Sequence, residues 1–243
     1  MHKPLFYILA FFVSTLCVAQ NSLSTEIYKW YDSNTITERY DLFKGIEYVE
    51  KDRVLNDEHK FFKTIEYTKG KLKYGGQVYN DVLMKYNIYD DLLLVNIKDE
   101  LNNFFQLFSN EVAEFSLLGH TFKYIESKTD KNIKGFYEIM NDDETFEIYK
   151  KHILNRKRIN DLDQIHFEFK EEDSEYIFEL KGEYYTLDQS DDLITVFPEH
   201  ENEINEFFKR NKKMLRKTPD VFMNRLADRI NSILDSPLKS VTE

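Results

Sequence analysis

The sequence predicts an α+β fold: an antiparallel β-meander, forming a curved sheet or a partly open barrel, followed by two or three C-terminal amphipathic helices. Three observations predict it. Apolar and polar residues alternate in short runs up to Leu187, with glycine or acidic pairs between them. From Ser190 the apolar spacing changes to three and four residues. Phe, Tyr and Trp make up 15% of the chain against only seven glycines, which favours ordered strands over flexible linkers.

The elements follow in order. Residues 1–19 read as a cleavable signal peptide, with basic His2 and Lys3, an apolar run from Leu5 to Val13, and the small-residue exit Cys17-Val18-Ala19. The apolar stretch is too short for a membrane span, and polar Gln20-Asn21-Ser22 follows it. Lipidation at Cys17 is the alternative, opposed by bulky Leu16 before it. A short opening helix is expected over Ser22 to Asp32. Alternation then begins at Phe61, with Ile65, Tyr67, Leu72 and Tyr74 on the apolar face and Gly75-Gly76 supplying a two-residue hairpin turn. Val82 to Ile88 buries Val82, Met84, Tyr86 and Ile88, and Leu92 to Ile97 is apolar but for Asn96, which suits a strand covered on both faces.

Further strands are expected at Phe104 to Phe108, Val112 to Leu118, Thr121 to Ile125, Gly135 to Met140 and Thr145 to His152. Ile165 to Lys170 alternates most strictly, with His166, Glu168 and Lys170 on the polar side. Tyr176 to Leu180 repeats the pattern before a Lys181-Gly182 turn into Tyr184 to Leu187. Ser190 is the expected N-cap of a short helix ending near Phe197, and Pro198 breaks it. A second helix runs from Glu199 to about Lys213. Thr218-Pro219 starts a third, with Phe222, Leu226, Ile230 and Leu234 four residues apart. The organisation is therefore a signal peptide over 1–19, one domain over 20–235, β-rich over 40–188 and helical over 190–235, and a frayed tail over 236–243.

Cleavage after Ala19 has chemical consequences. It removes Cys17, the single cysteine, and with it any disulfide, thiol nucleophile or thiolate ligand. It also removes Lys3, so the formal charge moves from −11 to −12. That acidity argues against nucleic acid as a partner, which would need a concentrated basic surface. After the signal no span remains. The expected location is periplasmic or extracellular, since 25 lysines against 8 arginines, with 18 asparagines and 4 alanines, suggest an AT-rich bacterial genome.

Local catalytic signatures are absent: the chain has no G-x-S-x-G elbow, H-E-x-x-H, EF-hand loop or phosphate-cradling glycine loop. No metal or cofactor is expected. Five histidines follow the signal: His59, His120, His152, His166 and His200. Asp57, Glu58 and His59 form a possible polar site, because two carboxylates stand beside an imidazole just before the first clear strand; a polar loop is the plainer reading. The acidic groups Asp90-Asp91, Asp142-Asp143-Glu144 and Asp161 with Asp163 read as solvated turns. Against the acidic background, Lys209, Arg210, Lys212, Lys213, Arg216 and Lys217 form a basic stretch between the last two helices that suits an acidic partner or lipid headgroups; the plainer account is cations at a helix C-terminus. Arg156-Lys157-Arg158 is a smaller cluster. The aromatic strands would also suit an apolar ligand enclosed by the sheet, or simply a core.

The segments Lys69 to Val82, Tyr86 to Leu92 and Asp192 to Phe208 with Phe197-Pro198 are similar to a group of exported β-rich proteins of Bacteroidota with no known activity. The resemblance implies export and a single domain, and carries no catalytic residues. Together these features point to an exported, non-catalytic envelope or periplasmic protein that binds an unidentified protein, envelope component or ligand. The alternatives are a periplasmic carrier of an apolar or lipid ligand and a carboxylate-dependent hydrolase.

Overall fold

The computed structural model describes residues 45–54, 58–96, 104–141, 146–161 and 164–234. The signal peptide, the opening helix, Asp57, Asp142 to Glu144, Asp163 and the tail lie outside them.

Thirteen strands precede three helices among the described residues. Strands β1 (Ile46–Glu47), β2 (Thr68–Tyr74), β3 (Gln77–Asn87), β4 (Leu92–Asn96) and β5 (Phe104–Gln106) build one wing of an antiparallel sheet. Strands β6 (Val112–Leu117), β7 (His120–Glu126), β8 (Lys134–Ile139), β9 (Glu147–Lys151), β12 (Glu175–Leu180) and β13 (Glu183–Thr186) build the other. The order is β1-β5-β4-β3-β2-β6-β7-β8-β9-β12-β13, an open eleven-stranded sheet. It is therefore not one uninterrupted meander. The chain leaves the first wing at β5 and returns across the sheet to lay β6 along the free edge of β2, where Leu72 pairs with Phe115.

Strands β10 (Leu154–Asp161) and β11 (Gln164–Glu171) pair only with each other as a separate hairpin. Backbone bonds from Phe167 N–H to Arg53 C=O (2.8 Å) and from Phe169 N–H to Glu58 C=O (3.0 Å) tie it to the segment before the sheet. This corrects the polar-face reading of His166: off the sheet, His166 is buried and Ile165 is exposed.

The turns at Gly75-Gly76 and Lys181-Gly182 have positive φ at both central residues, as two-residue hairpins require. Continuous alternation from Phe61 does not hold. Phe62 N–H bonds to Tyr86 C=O and Ile88 N–H to Lys60 C=O, so residues 60–62 run beside the end of β3. The chain then loops out from Lys63, whose φ of 56° lies in the left-handed region, before β2 begins at Thr68.

The helices are α1 (Ser190–Val196), α2 (Glu201–Lys217) and α3 (Pro219–Leu234). Ser190 opens α1 rather than capping it. The reach-back is made by Asp192, whose carboxylate accepts from the Asp188 and Gln189 N–H groups at 2.7 and 2.9 Å. After Pro198 a single 3-10 turn leads into α2, which runs to Lys217, four residues beyond expectation.

Three clusters hold the fold. The largest lies on one face of β2–β8, where Tyr86, Phe115, Phe122 and Phe136 stack at centroid distances of 4.8 to 5.7 Å. The second packs α1, α2 and α3 on Ile148, Tyr176 and Phe178. Register places both on the same face: Glu138 pairs with Lys150, Phe136 lies two residues before the first, and Ile148 two before the second. The third, around Tyr137, Tyr149 and Ile177, covers the opposite face. Among the described residues no helix is long and apolar enough to cross a membrane.

Candidate functional site

Between the first two clusters the shared face turns polar. Glu138 of β8 and Lys150 of β9 occupy the gap, with His120 at the start of β7 and His152 just after β9. Beside them is a cleft of about 580 Å³. Its floor is this part of the sheet. One wall is the β10–β11 hairpin through Leu154, Phe169 and Lys170; another is the 58–63 segment; Asp220 of α3 closes the end.

Glu138 organises the floor. Oε1 accepts from His120 Nδ1 at 2.5 Å and Oε2 from His152 Nε2 at 2.6 Å. Lys63 Nζ, brought over by the left-handed turn, donates to His120 Nε2. An ammonium has no lone pair, so Nε2 is the acceptor and Nδ1 carries the proton given to Glu138. The Phe62 ring stands edge-on to both imidazoles, each at 5.2 Å, and fixes their planes. Burial alone would push the Glu138 carboxyl upward, but the His152 and His120 hydrogen bonds outweigh it and hold it at about 2.

Asp220 is the second organised carboxylate. It accepts from Lys150 Nζ at 2.7 Å and from Tyr176 OH at 2.6 Å. Burial opposes ionisation here too, and the Lys150 and Tyr176 bonds overcome it, lowering the carboxyl below its ordinary value.

The Glu138 arrangement makes a pH prediction. Its folded value near 2 lies below the ordinary 4.5. As pH falls the unfolded chain takes up this proton first, so the stabilisation is full above about pH 4.5 and lost progressively toward pH 2. The contribution is on the order of 2 kcal/mol after allowance for screening. Urea midpoints at pH 5 and pH 3 are expected to differ more for the parent than for Glu138→Gln; equal pH dependence would remove the assignment.

The sequence-derived site residues fall in several places. His59 and Glu58 line the cleft, His59 with its Nδ1 accepting from Phe61 N–H at 3.2 Å and Glu58 beside Lys170 at 3.6 Å, while Asp57 is outside the described residues. His166 is buried in the hairpin, and His200 lies between Glu199 and Glu203. Asp90 and Asp91 are not merely solvated turn acids. Asp90 faces Asn87 and Lys60; Asp91 accepts from Tyr86 OH at 2.7 Å and Lys151 Nζ at 2.6 Å. Lys60, only 3% exposed, also meets Glu50 and Asp52 at 2.8 Å, and those carboxylates raise its pKa against the opposing effect of burial.

Lys209, Arg210, Lys212, Lys213, Arg216 and Lys217 are not between helices. They are all exposed on the second half of α2. Arg156 does not join them: it pairs with Asp52 at 3.2 Å and stacks over Tyr89 and Phe167.

Sequence reading missed the convergence on Glu138. The usable signal is register: once β7, β8 and β9 are antiparallel neighbours, Phe122 pairs with Glu138 and Glu138 with Lys150. His120 and His152 are then each two residues from those partners and on Glu138's side.

Fold and site define an α+β protein with an open antiparallel sheet, C-terminal helices and a polar cleft on the sheet face they share. No family model, curated protein or solved structure matches the chain.

Proposed function

We propose that this is an exported, non-catalytic envelope or periplasmic protein that binds a ligand or partner segment in the cleft over Glu138. The observation that carries the binding reading is the closure of the polar groups on one another. Glu138 is engaged by two imidazoles, His120 also by Lys63, and Asp220 by Lys150 and Tyr176. General acid catalysis at neutral pH needs a group titrating near the working pH, and both carboxylates are held in the ionised form. A fixed array of donors and acceptors beside Phe61, Phe169 and Leu154 suits recognition. The apolar-carrier alternative draws less support, since the rings of the largest cluster fill one another's space. Export is supported by the three-part pattern of residues 1–19.

A panel of ester, peptide and glycoside substrates is expected to give no turnover above that of Glu138→Gln; turnover abolished by this substitution would replace binding with hydrolysis. The mass of the protein recovered from its host is expected to correspond to a chain starting at Gln20. An acylated Cys17 at the N-terminus would change the mode of attachment.

A further inference from the structure

The basic stretch of α2 lies apart from the cleft, and the clefts of the sheet and its turns are lined by other residues. At 3.6 residues per turn, Lys209, Arg210, Lys212, Lys213, Arg216 and Lys217 fall within about 160° of the helix circumference and along about 12 Å of its axis. The apolar stripe that α2 turns toward α3 and α1, through Ile204, Phe207 and Leu215, occupies the opposite side. The cations therefore crown the helix rather than flank it. Arg210 reaches Glu206 at 2.8 Å, and the other five have no carboxylate within ion-pair range among the described residues. A helix end attracts cations by its dipole, but that effect fades within the last turn. Lys209, Lys212 and Lys213 stand before it.

We infer that this ridge docks the protein on a membrane surface of anionic phospholipid. Shape and charge together select this surface. A compact anion is held by a concavity with converging donors, whereas a convex ridge presents all its cations at once only to an extended anionic plane. No large apolar side chain interrupts the cationic face, so the contact is electrostatic and peripheral, without insertion. The overall charge of −11 does not prevent it. At physiological ionic strength the screening length is about 8 Å, so a bilayer facing the ridge meets the local cations and little of the acidic remainder. Each cation near such a surface strengthens binding roughly fivefold.

The test is co-sedimentation of the full chain with vesicles of phosphatidylcholine alone or with 30 mol% phosphatidylglycerol, at about 0.1 M and 0.5 M salt. The apolar N-terminal segment partitions into either vesicle, so the readout is the phosphatidylglycerol-dependent, salt-sensitive part of binding. The expected result is additional binding that requires phosphatidylglycerol and disappears at high salt. The triple variant Lys209→Glu, Lys213→Glu, Arg216→Glu is expected to weaken it by at least about a hundredfold. Lys128→Glu, Lys131→Glu, Lys157→Glu makes the same charge change at exposed sites elsewhere and is expected to leave it within a few-fold. Equal binding to both vesicles, or equal loss in the two triple variants, would overturn the inference. So would concentration-dependent self-association that only the first triple variant abolishes, because the ridge would then face a second copy.

Discussion

Replacing Gly135 by alanine is expected to lower folding stability by about 3–5 kcal/mol, among the largest effects of a single methyl group in this chain. Gly135 sits in β8 with φ at +113°, a conformation that side-chain-bearing residues rarely adopt, and a Cβ there would overlap Asp91 Oδ2 and crowd Lys151 Nζ. Backbone strain accounts for about 1–3 kcal/mol. The remainder comes from Asp91. Its carboxylate holds Lys151 at 2.6 Å and Tyr86 OH at 2.7 Å, and the Phe136 N–H bonds to it. Pushing it aside leaves the fully buried Tyr86 hydroxyl without its acceptor, a loss of about 1–3 kcal/mol. Urea denaturation of the variant measures the total, and a loss below about 1 kcal/mol would show that β8 relaxes around the methyl group.

Phe122→Ala is expected to cost a further class of energy, about 3–5 kcal/mol, through loss of transfer free energy and the cavity left behind. Phe122 is fully buried, with Phe62, Tyr86 and Phe115 centroids at 5.0, 5.1 and 4.8 Å. Two of these neighbours belong to the rigid sheet, which limits collapse of the space. The effect reaches the cleft as well, because Phe122 also touches the His152 ring at 6.0 Å and Phe62 holds both imidazoles. The variant is therefore expected to loosen the Glu138 cluster and to flatten the acid dependence of stability, which a urea series at pH 3 and pH 5 measures alongside the lost stability.

The local features of the fold were legible wherever one residue pair or one period decided them. Gly75-Gly76 and Lys181-Gly182 stand between apolar runs and both are hairpin turns, as is Leu118-Gly119 between β6 and β7. The all-apolar Leu93-Leu94-Val95 is buried on both faces. Pro198 and Pro219 set the helix starts. What stayed hidden was decided at a distance. Strand β10 carries Asn155-Arg156-Lys157-Arg158, with no apolar alternation, and exists through its pairing with β11 and the capture of Arg156 by Asp52 and two rings. Lys63 interrupts an alternating run because residues 60–62 and β2 share one lane beside β3 with a loop between them. The Glu138 site depends on three strands being in register, and a slip of one residue would send its side chain to the opposite face.

The junction of β2 with β6 also sets an order of assembly. Turns β2–β3, β3–β4, β6–β7 and β7–β8 close between neighbours in the chain, so each wing can organise locally, while the β2–β6 seam must wait for distant segments to meet. In that interval β2 is a temporary boundary, a row of open backbone groups able to recruit a strand from another chain. Its exposed residues are Lys69, Lys71 and Lys73. Three like charges at alternate positions repel a second β2 laid against the first, whereas β6 brings Glu114 opposite Lys73. The same lysines that look like plain surface in the finished sheet thus discourage the wrong partner while the right one arrives.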